Sequence, residues 1–144
     1  MRRSMAVMLI CGALAACQAP SPFQYKVPDL AALSPPGNLD ADRAACNKQF
    51  PPRLGNYLPH AECVNAAVER DAIPTARYPD LVQLQERLRL KYSGEIDRGV
   101  LSPREGERKM KAADELVEAT IRDRDRGREA VADQRVSRLQ AMLE

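Results

Sequence analysis

Proline placement limits this chain more than any other feature. Eleven prolines occur, and each removes a backbone donor and turns its preceding neighbour away from helical geometry. Pro20, Pro22, Pro28, Pro35 and Pro36 crowd the stretch QAPSPFQYKVPDLAALSPPGN, residues 18–38. The others, Pro51, Pro52, Pro59, Pro74, Pro79 and Pro103, fall between or at the start of segments with helical patterning. The sequence therefore predicts an extended N-terminal region followed by helices whose ends are largely set in advance.

The helical segments follow in order. DADRAACNKQ, residues 40–49, reads as a first helix with Asp40 as its N-cap. FPPRLGNYLP ends it, and a second helix runs from about His60 to Asp71 with Pro59 in its first turn. AIPTARYP makes the next break. Asp80 then caps a third helix, on which Leu81, Leu84, Leu88, Tyr92 and Ile96 recur at spacings of three and four. Gly99 suits the C-terminal cap of that helix. Ser102 to Glu105, SPRE, is a capping box with proline at the first helical position. Residues 97–101 thus form a tight turn, and the third and fourth helices fold back as a hairpin. Asp97, Gly99 and Glu105 do not make a calcium loop, because Arg98 and Val100 stand where oxygen ligands are needed.

The last helix is expected to run unbroken from Pro103 to Met142. Met110, Ala113, Leu116, Val117, Thr120 and Ile121 face the third helix. From Arg122 charge takes over. Arg122 with Asp125, and Asp123 with Arg126, are opposite charges three apart, which supports an exposed helix by a few tenths of a kcal/mol per pair. Val131, Val136, Leu139 and Leu143 offer a weak stripe of about two heptads for self-association or for a partner protein of the envelope.

The N-terminus, MRRSMAVMLICGALAACQAP, has the parts of a secretory signal. Arg2 and Arg3 give a positive start, Met5 to Leu14 an apolar run, and Ala15 and Ala16 small residues before Cys17. The run is too short to span the hydrocarbon core of a bilayer, which takes about 20 apolar residues. Leu14-Ala15-Ala16-Cys17 resembles the lipobox of bacterial lipoproteins. Cys11 is a poor alternative, since Ile10 before it is not small. The resemblance covers the first 17 residues only. It implies cleavage before Cys17, a diacylglyceryl group on its sulfur, and acylation of its new amine with a fatty acid such as palmitate. Gln18, rather than Asp, after the cysteine resembles the pattern of outer-membrane-destined lipoproteins. Two buried acyl chains suffice for stable anchoring, at about 0.8 kcal/mol per methylene. The proline-rich linker could then hold the domain up to about 65 Å from the membrane, at about 3.1 Å per residue. Phe23, Tyr25 and Val27 alternate within it and read as spacer residues.

Export sets the reading of the two remaining cysteines. In an oxidising compartment Cys46 and Cys63 pair as a structural disulfide, which staples the first two helices. A metal site is disfavoured, because His60 is the only histidine and zinc needs more ligands than His60 and Cys63 provide. No Cys-x-x-Cys redox pair is present. The sequence therefore implies an all-α fold. It would be a small helical-hairpin bundle of about four helices with one disulfide, behind a proline-rich linker and ending in a long charged helix. Residues 1–16 are the signal, 17–38 the lipidated cysteine and linker, 39–121 the helical domain and 122–144 the charged extension.

Charge narrows the function. Lys and Arg number 22 against 20 Asp and Glu, and the excess is Arg2 and Arg3 of the signal. The exported part is neutral overall and lacks the basic footprint of a nucleic-acid binder. Aromatic residues are 4% with no Trp, which leaves little for stacking on sugars or bases. The carboxylates mostly alternate with Arg and Lys, as on a solvated surface, and no nucleophile stands beside a base. His60 and Glu62 sit two apart, so they do not share a helix face. The expected function is a non-enzymatic binding or structural module, membrane-anchored and periplasm-facing at the outer membrane, with no cofactor and no metal. An inhibitor or chaperone of an envelope enzyme is the alternative, and a cell-wall hydrolase a weaker one.

Overall fold

The structure, a computed structural model, describes residues 37–144. The expected signal, the lipobox-like Leu14 to Cys17 and the expected linker up to residue 36 lie outside the described residues. The described chain is all-helical: α1 (Leu39–Gln49), α2 (Tyr57–Asp71), a 3₁₀ turn (Ile73–Thr75), α3 (Pro79–Asp97), α4 (Pro103–Asp125) and α5 (Glu129–Ala141). Each helix packs on the next, and α5 also returns to α3. The result is a small bundle in which α3 is central.

Several helix ends differ from the local expectation, each for a visible reason. α1 is capped by Asn38, whose side chain accepts from Ala41 N at 3.2 Å. Asp40 therefore sits inside the first turn, where a carboxylate favours the positive end of the helix dipole. α2 begins at Tyr57 rather than His60 because α3 supplies its cap. The carboxylate of Asp97 accepts from Gly55 N at 2.7 Å, Leu58 N at 2.8 Å and Tyr57 N at 3.3 Å. α3 begins at Pro79 after Tyr78, and Asp80 pairs instead with Arg124 through two bonds of 2.7 and 2.9 Å. The capping box of α4 forms as expected. Ser102 N donates to Glu105 Oε2 at 2.9 Å, and Glu105 N donates to Ser102 Oγ at 3.3 Å.

Two apolar clusters make the core. The smaller joins Cys46 and Phe50 to Cys63, Val64 and Val68, with Val82 of α3 against it. The Cys46–Cys63 disulfide bridges α1 and α2 across a Cα–Cα distance of 5.8 Å, and both cysteines are fully buried. The larger cluster holds Leu81, Leu84, Leu88 and Tyr92 of α3, Ala113 and Val117 of α4, and Leu139 of α5. The stripe read from the third helix is thus its core face.

The expected helix from Pro103 to Met142 is instead two helices that reverse at Gly127. Gly127 has φ +67°, a left-handed conformation that costs a residue with a Cβ about 1–2 kcal/mol. Its N–H donates to Arg124 O at 3.0 Å and that of Arg128 to Asp123 O at 2.9 Å, the paired bonds of a Schellman cap. Gly99 ends α3 in the same way, with Gly99 N to Ile96 O and Val100 N to Glu95 O. The charges around Gly127 pair mainly between segments rather than along one solvated helix, Arg122 with Glu118 being the exception. Asp123 is buried and accepts from Arg128 and, at 2.7 Å, from Arg135 on α5. Arg122 reaches back to Glu118 at 3.6 Å, and Asp125 takes Arg77 at 2.8 Å. Leu139 is fully buried, and Val136 and Leu143 pack against the same cluster. Three residues of the stripe proposed for a partner are therefore part of this chain's own core, and only Val131 of the four is exposed.

Two outcomes follow. Removing the disulfide with C46A/C63A should lower the unfolding free energy by about 3 kcal/mol in urea melts, given the short loop it closes. Gly127→Ala should cost about 1 kcal/mol from backbone strain alone, since an added Cβ meets nothing within 4 Å. Gly127→Asn should cost less, because Asn tolerates the left-handed region.

Candidate functional site

The site that stands out lies between α2 and α3 near the 3₁₀ turn. Asn65 and Glu69 sit one turn apart on α2, and Ile73 follows in the 3₁₀ turn. Gln83, Glu86, Arg87 and Leu90 come from one face of α3, at the i, i+3, i+4, i+7 spacing that shares a helix side. Together they line an open cleft of about 430 Å³.

Asn65 sets its floor. Its Nδ2 donates to the backbone carbonyl of Glu86 at 3.1 Å, and its Oδ1 accepts from Arg89 Nη1. Both ends of the amide are thus engaged, and α3 is held against α2 by a buried polar bridge. Glu86 is only 6% exposed. Among the described residues, its Oε1 is the one buried side-chain oxygen or nitrogen with no hydrogen-bond partner. Burial pushes the Glu86 carboxyl above the usual range, the charge of Glu69 adds to this, and Arg89 partly opposes it. Two other carboxylates, each paired with a guanidinium, behave differently. Asp123 is held below its usual range by the hydrogen bond from Arg135, and Asp71 by that from Arg70.

The sequence-derived candidates distribute as follows. Cys46 and Cys63 form the disulfide. Cys17 lies outside the described residues. His60 is tied to α1, its Nε2 lying 2.7 Å from Asn47 Oδ1, and burial first and Arg89 second lower its pKa. Among the described residues, no group of three or more His, Cys, Asp or Glu is placed to hold a metal ion. No helix among them is long and apolar enough to cross a membrane. Sequence reasoning missed the cleft. Its one signal was Val82, an apolar residue off the main α3 stripe, which packs on the disulfide cluster and marks a second buried side of that helix.

No family model matches the chain, and neither a curated protein nor a solved structure gives a significant match.

The environment of Glu86 gives a pH test. A carboxyl whose pKa is raised on folding binds its proton more tightly in the native state, so its ionisation destabilises the fold as pH rises. Glu86→Gln should therefore raise the melting temperature at pH 7. The gain should vanish as pH falls below about 4, where both states hold the proton. Thermal melts of both proteins across this range check it.

Proposed function

We propose that this chain is a lipid-anchored module of the bacterial cell envelope, with a binding or structural rather than an enzymatic role. Cleavage before Cys17 and acylation of that residue would place residues 18–36 as a tether and the helical bundle as its head. The observation that carries the reading is the buried Cys46–Cys63 disulfide in so small a bundle. Disulfides persist in exported compartments and are typical of domains with modest cores. The signal and the lipobox-like LAAC supply the route to such a compartment. Gln18 after the cysteine favours the outer membrane, with the domain facing the periplasm.

The distribution of ionisable groups supports a role without catalysis. Asp42 and Asp71 hold Arg70, Asp80 holds Arg124, Asp97 caps α2, and Asp123 holds Arg128 and Arg135. These carboxylates fix helix ends. None of these five is free to act in a hydrolytic pair, which needs two carboxylates converging on a substrate.

The test is expression of the full chain in a bacterium with fatty-acid labelling, intact mass and membrane fractionation. The expected product begins at Cys17, carries acyl chains and sediments with the outer membrane. Cys17→Ser should abolish labelling and release the protein from the membrane fraction. An unmodified full-length mass would sink the proposal.

A further inference from the structure

We infer that the end of the bundle formed by the α1–α2 and α3–α4 turns rests on an anionic bilayer surface, with Leu54 and Val100 in the headgroup boundary and Arg53, Arg98 and Arg104 on lipid phosphates. It rests on the proposed export only for the presence of a bilayer, since the surface is built wholly from the bundle.

Leu54 and Val100 are the two most exposed large hydrophobic residues among the described residues, each at 67%. Single exposed aliphatics are ordinary on a protein surface, but these two share one place. Leu54 precedes Gly55, whose N–H donates to Asp97 Oδ1 at 2.7 Å, and Val100 follows Asp97 by three residues. One carboxylate thus ties the two turns together. Both turns stand open: a Cβ added at Gly55 or at Gly99 meets nothing within 4 Å. A protein partner would have to supply a pocket for each aliphatic side chain. A bilayer interface takes protruding apolar side chains without one.

Charge selects the kind of bilayer. Residues 50–56 and 98–104 contain Arg53, Arg98 and Arg104 and no acidic residue. All three arginines are exposed, and none forms an ion pair with another described residue. The bordering carboxylates are occupied, Asp97 in capping α2 and Glu105 in the capping box of α4. Glu107 stands further along α4, followed by Arg108 and Lys109. Guanidiniums around exposed aliphatics match phosphate headgroups over acyl chains. The lipid anchor does not prevent this contact. Gly37 N donates to Asp71 Oδ1 at 3.1 Å, which puts the start of the described chain at the other end of α2 from these turns. α3 joins the two ends with 19 residues, about 28 Å at 1.5 Å per residue. The expected linker reaches about 65 Å, so an acylated Cys17 and this end of the bundle can share one bilayer.

The chain has no Trp, so a tryptophan introduced at one position reports on that position alone. Leu54→Trp, Val100→Trp and Val131→Trp are each made in the full chain with Cys17→Ser, which removes the acylated sulfur. Each is titrated with vesicles of phosphatidylcholine and phosphatidylglycerol. Val131 is exposed in the first turn of α5, at the opposite end of the bundle, and serves as the control. The expected result is a blue shift of emission and quenching by brominated lipid in the Leu54 and Val100 variants, and neither in the Val131 variant. Adding Arg53→Glu and Arg104→Glu to the Leu54 variant should weaken partition at least about tenfold, and vesicles of phosphatidylcholine alone should bind correspondingly less. All these positions are exposed, so the variants keep the fold. No shift in the Leu54 and Val100 variants overturns the inference and leaves a protein pocket as the occupant. An equal shift in the Val131 variant overturns it as well, because it marks adsorption of the chain without regard to this surface. A shift that grows with protein concentration in the absence of vesicles assigns the patch to a second copy and also overturns it. Since Cys17→Ser cannot be acylated on that sulfur, the result is independent of the lipidation test.

Discussion

Leu81, Leu84, Leu88 and Tyr92 turn one side of α3 into a continuous apolar surface, and Val82 and the backbone of Glu86 bind a second side to α2. A helix buried on two sides fixes its neighbours in a way that a surface helix does not. α4 and α5 take their places from the first side, where Ala113, Val117 and Leu139 close the larger cluster. α2 takes its place from the second through the Asn65 bridge and from the end of α3 through the Asp97 cap. α1 is then located at one remove, through the disulfide and Phe50. Shifting α3 along its axis would break apolar packing, a buried amide bridge and a helix cap together.

This arrangement explains which parts of the fold could be read from the sequence. Prolines, the capping box and a stripe at three-and-four spacing act within a few residues, so their consequences are local and visible. The disulfide was legible because, with Cys11 and Cys17 assigned to the N-terminal signal pattern, Cys46 and Cys63 leave one pairing. The start of α2 was not, because its cap comes from Asp97, some 40 residues away. The cleft was not legible either. A glutamate in a helix reads as solvated, but Glu86 is buried where α3 packs against Asn65 of α2.

The reversal at Gly127 was missed for a different reason. The tripeptide Asp-Arg-Gly occurs twice, at 97–99 and at 125–127, and ends a helix both times with the same cap. At Gly99 the apolar stripe had already run out and the capping box followed, so the stop was apparent. At Gly127 dense alternating charge gave the look of an exposed helix that continues. The charges are instead the means of folding back. Arg128 and Arg135 converge on Asp123, which lets a carboxylate be buried between α4 and α5. An ion pair of this kind is weak evidence for net stability but does fix geometry, since leaving either partner alone is costly. In a chain with 4% aromatic residues, orientation is set less by large rings than by such pairs.

That pattern makes Glu86 the exception that matters. Asp71, Asp80 and Asp123 each meet a guanidinium, which lowers the carboxyl pKa. Their contribution is present above about pH 4 and is lost as they take up protons in acid. Glu86 runs the other way: its pKa is raised, and its ionised form weighs against the fold at neutral pH. Arg89 is near enough for its charge to act on Glu86, but it donates to Asn65 instead. A bundle that satisfies its other buried polar side chains among the described residues, yet leaves one carboxylate oxygen buried without a donor, holds an electrostatic deficit at a single place.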